Sequence, residues 1–271
     1  MKPLTVIKYG GHAMSDPVLN KAFAQNISLA REKWDIVIGH GGGPQINALL
    51  GKLNIESSFK NGLRITNAEA MKAVEMALCG DVNTWLVSLL CKEHCKAVGL
   101  TGKDACTLLA KKNADTELGF VGEVTQVNPN LCRILLENDH IPVVAPIGYE
   151  ENTANSLNIN ADTATGALAG ALKADVFILV TDVAGVLDKN KNLLPHLELS
   201  QIQALKADET IYGGMLPKIE SCEHAIDKGC KAALIFDGKN AANVSVILNE
   251  VHYALSHNDF SKLNYGTLIT Q

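Results

Sequence analysis

Two lysines, one aspartate and four glycine- or asparagine-bearing stretches hold the chemistry legible in this chain. The stretches are Ile7-Lys8-Tyr9-Gly10-Gly11, His40-Gly41-Gly42-Gly43-Pro44, Asn158-Ile159-Asn160-Ala161-Asp162 and Gly213-Gly214-Met215-Leu216-Pro217-Lys218. At least three stand where an apolar run stops or a helix begins, positions that expose backbone N–H groups and can cradle an anion. Lys8 lies inside an apolar run, so its ammonium must either snorkel to water or reach an anion. The glycine pair after it allows close approach of backbone to a phosphate. Lys218 falls in the first turn of a helix, where a cation opposes the macrodipole, so it serves something other than helix stability. Asp162 is either a helix cap or first-turn residue or an organiser of cations, and two asparagines at period-two spacing precede it. Arg64, in the loop-like piece Lys60–Arg64, is either a solvated surface residue or a bidentate clamp for a carboxylate. Together these residues can move a phosphoryl group between two anionic partners.

Other chemistries lack their signatures. The chain has no Gly-x-x-x-x-Gly-Lys-Ser/Thr and no Gly-x-Gly-x-x-Gly after a strand. His40–Gly43 resembles the oxyanion segment of lipases, yet no Gly-x-Ser-x-Gly elbow accompanies it. His-Glu-x-x-His is also missing.

The elements that must position these residues alternate between strand and helix. Strands are expected at Leu4–Tyr9, Asp35–Gly39, Lys96–Leu100, Ile141–Pro146, Val176–Thr181 and Ala232–Asp237. Helices are expected at Asp16–Glu32, Pro44–Leu53, Ala68–Cys91, Asn130–Asn138, Ala161–Leu172 and Pro217–Lys228. Residues 106–127 look like a hairpin or meander. This alternation predicts an α/β fold, a mainly parallel sheet covered by helices on both faces, with Val176–Thr181 near its middle. The division falls near Lys173–Asp175 without a linker, so two lobes, 1–174 and 175–271, should share one sheet.

The chain has 271 residues, 47% of them hydrophobic, and a formal net charge of −5. Its basic residues are scattered, which argues against nucleic acid or an anionic membrane as partner. No apolar run approaches the roughly 18 residues of a membrane helix, and no leader is visible, so a cytoplasmic location is expected. Seven cysteines occur without a Cys-x-x-Cys. Cys91 and Cys95, at i,i+4 on a helix, could suit a metal, but buried free thiols are the expected state.

Taken in order, these stretches resemble the amino-acid kinase superfamily over essentially the whole chain, and within it the branch that phosphorylates N-acetylglutamate. Lys60–Thr66, Val98–Asp104, Gly119–Pro129, Asn158–Thr163, Thr181–Asp188 and Met215–Lys218 carry the likeness with the two N-terminal glycine stretches. The chain departs from the usual pattern at His12 and Cys79. The resemblance implies a three-layer αβα sandwich with its mainly parallel sheet shared by two lobes. The N-terminal lobe would bind N-acetyl-L-glutamate and dimerise, and the C-terminal lobe would bind ATP, with Mg²⁺ arriving as the nucleotide complex. It implies that Lys8 and Lys218 contact the transferring phosphoryl and that Asp162 holds them. Gly42, Gly43, Arg64 and Asn158 would bind the acetylated amino acid. Gly10, Gly11, Asp182, Val183, Gly185, Val186, Gly214 and Met215 would hold the nucleotide, and no protein metal site is implied. The product would be N-acetyl-L-glutamyl 5-phosphate, an arginine precursor. Competing expectations are a sister kinase for an aminoadipate-type acid and a catalytically silent subunit of the same fold.

Arginine-inhibited members of that branch carry a helix before the first strand that links dimers into a ring. Only Met1-Lys2-Pro3 precede Leu4 here, which predicts a homodimer without strong arginine feedback. The Ala68–Cys91 helix is the expected dimer seam, with core packing as the alternative.

Overall fold

A computed structural model describes residues 2–10 and 14–271, so Gly11 and His12 lie outside the described residues. Among the described residues, eight strands form the main sheet. They are β1 (Leu4–Tyr9), β2 (Asp35–His40), β5 (Ala97–Thr101), β8 (Ile141–Ala145), β11 (Val176–Thr181), β12 (His196–Glu198), β13 (Ala232–Asp237) and β14 (Thr267–Thr270). Their spatial order is β12-β14-β13-β11-β1-β2-β8-β5, and every neighbouring pair is parallel except β13 with β14.

Period-two alternation along the strands explains the layers. Ile7, Tyr9, Ile36, Ile38, Ile178 and Leu234 enter one core with helices α1 (Pro17–Ala30), α4 (Thr84–Lys92) and α9 (Val244–His257). Val6, Val37, Phe177, Leu179 and Ile235 enter the other, with α6 (Ala161–Leu172) and α8 (Leu216–Asp227). Strands buried on both faces carry apolar residues at nearly every position, as Val176–Val180 does. The Ala/Gly-rich α6 packs closely, with Gly166 and Gly170 against α8. Asp16 caps α1 by accepting from the Val18 and Leu19 amides, and Pro17 opens its first turn.

A smaller, separate sheet has the order β10-β9-β6-β7. Its strands are β6 (Leu108–Lys112), β7 (Gly122–Val127), β9 (Ile147–Glu150) and β10 (Asn155–Asn158). The expected hairpin in 106–127 is β6 with β7, whereas β9 and helices α7 (Leu199–Ala207) and α9 add to the elements expected from sequence.

Three expectations are corrected. Lys60–Arg64 is a two-strand hairpin, β3 (Phe59–Lys60) and β4 (Leu63–Arg64), closed by Asn61-Gly62 at φ 51° and 78°. The long helix is α3 (Ala68–Glu75) continuing through a π-helical segment, Met76–Asn83, into α4. At 25 residues it is, among the described residues, the one helix long and apolar enough to cross a membrane, by length and composition. In the fold its Val82, Leu86 and Leu90 lie in the core against the sheet. Finally, α4 ends at Lys92, so Cys95 has left the helix and the i,i+4 pairing with Cys91 is not realised. All seven cysteines are free; Cys95, Cys132, Cys222 and Cys230 are buried, while Cys91 and Cys106 are exposed.

Candidate active site

Parallel pairing brings the carboxyl ends of β2, β1 and β11 to one edge of the sheet. Lys8 is level with Gly39 on one side and Leu179 on the other. The chain leaves β1 toward β2 on one side and returns as β11 on the other, so a crevice opens where the strand order reverses. Lys8 alternates with Ile7 and Tyr9 and therefore faces the α6 layer.

There it meets Asp162. The Lys8 ammonium lies 3.0 Å from Asp162 Oδ1, and the Lys218 ammonium lies 3.5 Å from Oδ2 of the same carboxylate. One carboxylate thus joins cations that are 210 positions apart in the chain. The local sequence explains why Asp162 is available. Asn160 is the N-cap of α6, accepting from the Asp162 and Thr163 amides at 2.9 and 3.2 Å. Asp162 stands in the first turn with its side chain left for the lysines, so the capping alternative belongs to its neighbour. Lys218 stands in the first turn of α8 and gains from this pairing what it loses to the helix dipole. Burial works against the charge on Asp162, but Lys8 and Lys218 outweigh it and hold the carboxyl below the usual aspartate range. Gly10 borders the cluster: a side chain there would come within 2.7 Å of the Lys8 ammonium.

Beside the cluster lies an open cleft with a cavity volume of about 180 Å³. Gly42, Gly43, Arg64 and Asn158 all line it, as do Gly41, Asn160 and Ala161, which lead to Asp162. They come from the start of α2 (Gly43–Lys52), from β4, from the end of β10 and from the start of α6. Gly42 is the N-cap residue of α2 and carries no side chain to cap it, so the amides of this helix start stay open toward the cleft. Asn158 ends β10, and its side-chain amide donates to Thr66 Oγ1 at 3.1 Å. Arg64 is buried, donates to Ser57 Oγ and to Asn47 Oδ1 (2.7 Å), and lies over the Phe59 ring at 4.6 Å. Among the described residues no carboxylate forms a salt bridge with it. Burial lowers its pKa, the mark of a cation short of a counter-charge.

The remaining expected residues sit along the edge beyond β11. Asp182 and Val183 follow the strand directly, and Thr181 donates to Asp182 at 3.0 Å. Gly185 lies against Leu193 and Thr267, and the buried Val186 donates its backbone N–H to Thr267 Oγ1 at 2.8 Å. These two tie the loop to β14. Gly214 and Met215 form the short turn, Gly213–Met215, that opens α8. Gly214 is exposed with open space around it.

Sequence reasoning did not single out Asn47 and Ser57, which hold Arg64, or Leu78 and Phe59 in the cleft. Asn61-Gly62 was the available signal for the hairpin that carries Phe59 and Arg64. Nothing local marks Asn47, which reaches Arg64 across 17 positions.

The model of the Amino acid kinase family matches residues 3–237. An acetylglutamate kinase from Sphingopyxis alaskensis is 48% identical over 247 residues, 86% of this chain and 82% of that protein. An acetylglutamate kinase from Agrobacterium fabrum is 45% identical over 252 residues, 88% of this chain and 85% of that protein. The crystal structure of smu.665 from Streptococcus mutans UA159 superposes with a TM-score of 0.77 at 32% identity, covering 100% of this chain and 99% of that one. With its crevice at the β1/β11 reversal and this likeness along nearly its full length, the chain belongs to the amino acid kinase family, in the acetylglutamate kinase branch.

Proposed function

We propose that this chain transfers the γ-phosphoryl group of ATP to the side-chain carboxylate of N-acetyl-L-glutamate, giving ADP and N-acetyl-L-glutamyl 5-phosphate for arginine biosynthesis. One observation carries the reading: two lysines meet on Asp162 beside a cleft whose buried Arg64 has no carboxylate partner among the described residues.

The nucleophile needs no general base. A glutamate-type carboxyl has a reference pKa near 4.3 and is already ionised at neutral pH. Asp162, itself held ionised, is therefore an organiser of cations and not a proton acceptor. The barrier is repulsion between the attacking carboxylate and the γ-phosphoryl oxygens, roughly 4 kcal/mol for two unit charges about 4 Å apart at an effective dielectric of 20. Lys8 and Lys218 reverse the sign of that interaction as charge spreads in the transition state. A carboxylate oxygen bonds to the γ-phosphorus while the bond to the β–γ bridging oxygen breaks, and that electron pair leaves on ADP. Arg64 would hold the α-carboxylate, and Asn158 with the Gly42 and Gly43 amides would orient the reacting end.

In this reading residues 1–174 form the acetylglutamate lobe and residues 175–271 the ATP lobe. Asp182, Val183, Gly214 and Met215 would line the nucleotide with Gly10, while Gly185 and Val186 hold their loop in place. Mg²⁺ would come as the complex of the nucleotide phosphates. Among the described residues no three His, Cys, Asp or Glu side chains gather to hold a metal, and Asp162 is engaged by lysines. The homodimer would use the exposed side of the α3–α4 helix, where Met76 is 54% exposed.

Trapping the acyl phosphate with hydroxylamine tests the activity. ADP and hydroxamate should form in equal amounts with acetylglutamate. Faster turnover of an aminoadipate derivative, aspartate or carbamate would favour a sister kinase. No turnover with any of them would point to a silent subunit.

A further inference from the structure

Beneath the triple-glycine loop lies a buried polar pair that the chemistry above does not use. His40 ends β2 and is fully buried. Alternating with Gly39, it faces the layer of Ile36 and Ile38, the opposite face of the sheet from Lys8. Its Nδ1 lies 2.8 Å from the Gly41 carbonyl oxygen, and its Nε2 lies 3.0 Å from Asn83 Nδ2. Asn83 Nδ2 also lies 2.9 Å from the Val143 carbonyl oxygen. The group facing both a carbonyl and the imidazole is therefore the amide NH₂, and it donates. The tautomer follows: Nε2 accepts from Asn83, and Nδ1–H donates to Gly41.

A trans peptide points its C=O and N–H in opposite directions. With the Gly41 oxygen drawn to the His40 side, the Gly42 N–H turns to the other side, where Lys8 and Asp162 lie. That N–H has no partner among the described residues. The same helix presses on the loop a second time. A side chain at Gly42 would meet Leu78 Cδ2 at 2.6 Å and Val82 Cγ2 at 3.1 Å. Leu78, Val82 and Asn83 all belong to the π-helical segment, a local widening that turns successive residues toward one loop.

We propose that His40, backed by Asn83, is a positioning residue for phosphoryl transfer: it locks the Gly41–Gly42 peptide so that the Gly42 N–H faces the transferring group. His40 touches no reactant; it acts through the loop. The inference rests on acetylglutamate phosphorylation as the reaction of this cleft.

Two substitutions separate positioning from packing. In His40→Asn the side-chain amide lies near the position of Nδ1 and still donates to Gly41. In His40→Gln it lies near the position of Nε2 and meets Asn83 instead. The Gln variant should lose about 10- to 100-fold in kcat, with both KM values within about threefold. The Asn variant should keep kcat within about threefold of wild type. Equal losses in the two variants, or a loss that disappears on correction for the folded fraction, would overturn the proposal. Should a variant fail to fold, long-range ¹H–¹⁵N spectra of the wild-type protein at neutral pH report the tautomer directly. A neutral Nδ1–H imidazole is expected for His40, and an Nε2–H form would refute the lock. Wild-type protein that forms no hydroxamate would sink the kinase reading itself, whereas an active wild type with an unimpaired Gln variant sinks only this inference.

Discussion

At the scale of single residues, the proposed mechanism divides the cations by task. Lys218 approaches Asp162 from the start of α8 and would meet charge that builds only as the phosphoryl moves. Lys218→Ala should therefore lower kcat by about 10²-fold or more and leave the acetylglutamate KM within about threefold. Near-normal turnover in steady-state kinetics would remove Lys218 from the mechanism. Arg64 would act in the ground state. Arg64→Ala should raise the acetylglutamate KM by about 100-fold with a much smaller change in kcat, and the opposite split would contradict a carboxylate clamp. His40 makes a different contribution, to stability. Burial, with some help from the Lys8 charge and against the bond to Gly41, pushes its pKa down to about 4 from the ordinary 6.5. Between those values the unfolded chain binds a proton that the folded one refuses. Stability is then complete above pH 6.5, falls by about 3 kcal/mol as pH drops to about 4, and levels off below. Urea midpoints across this range should show that slope in wild type and a flatter one in His40→Asn.

At the scale of elements, the helix starts do most of the positioning. Asn160 caps α6 and so frees Asp162 for the lysines. Asn160→Ala should cost about 1 kcal/mol, or about 2–4 °C in Tm, and should lower kcat more than KM because Asp162 loses its anchored turn. A thermal scan with kinetics on the same sample checks both, and an unchanged Tm would deny the cap. The strand β10 is pinned in a comparable way. Ser156 donates to Glu75 at 2.8 Å, and Lys103 bonds both Glu75 and Ser156. That bridge ties β10, and with it Asn158 two residues on, to the long helix. The Asn61-Gly62 turn does the same for Arg64, since it fixes the register of the hairpin across the cleft.

At the scale of the whole molecule, the pairing of β1 with β11 joins the halves that carry Lys8 and Lys218. Lys8 sits on the first strand and Lys218 on a helix 210 positions later, so their separation depends on how the halves meet. Small-angle scattering should show a smaller radius of gyration with acetylglutamate and a non-hydrolysable ATP analogue together than with either alone. An unchanged radius would mean that the site is already closed. Sedimentation should give twice the 29.0 kDa chain mass, and a monomer would rule out a seam on the α3–α4 helix.

The alternation of apolar strands with helices, the glycine-rich ends of strands, and the placing of Lys8 at a strand end and of Asp162 and Lys218 at helix starts were all legible in the sequence, because each depends on residues within a few positions of one another. Periodicity records burial, and glycine with proline records where backbone must turn. The sequence alone left Asp162 between cap and cation organiser, Arg64 between surface and clamp, and the long helix without its π-helical turn. Only the folded chain decides these: Asn160 takes the cap while Lys8 and Lys218 reach Asp162 from distant segments, Asn47 and Ser57 hold the guanidinium, and Asn83 reaches His40 across 43 positions. Long-range hydrogen bonds leave no periodic trace in a sequence, and here they aim the groups that the local pattern supplies.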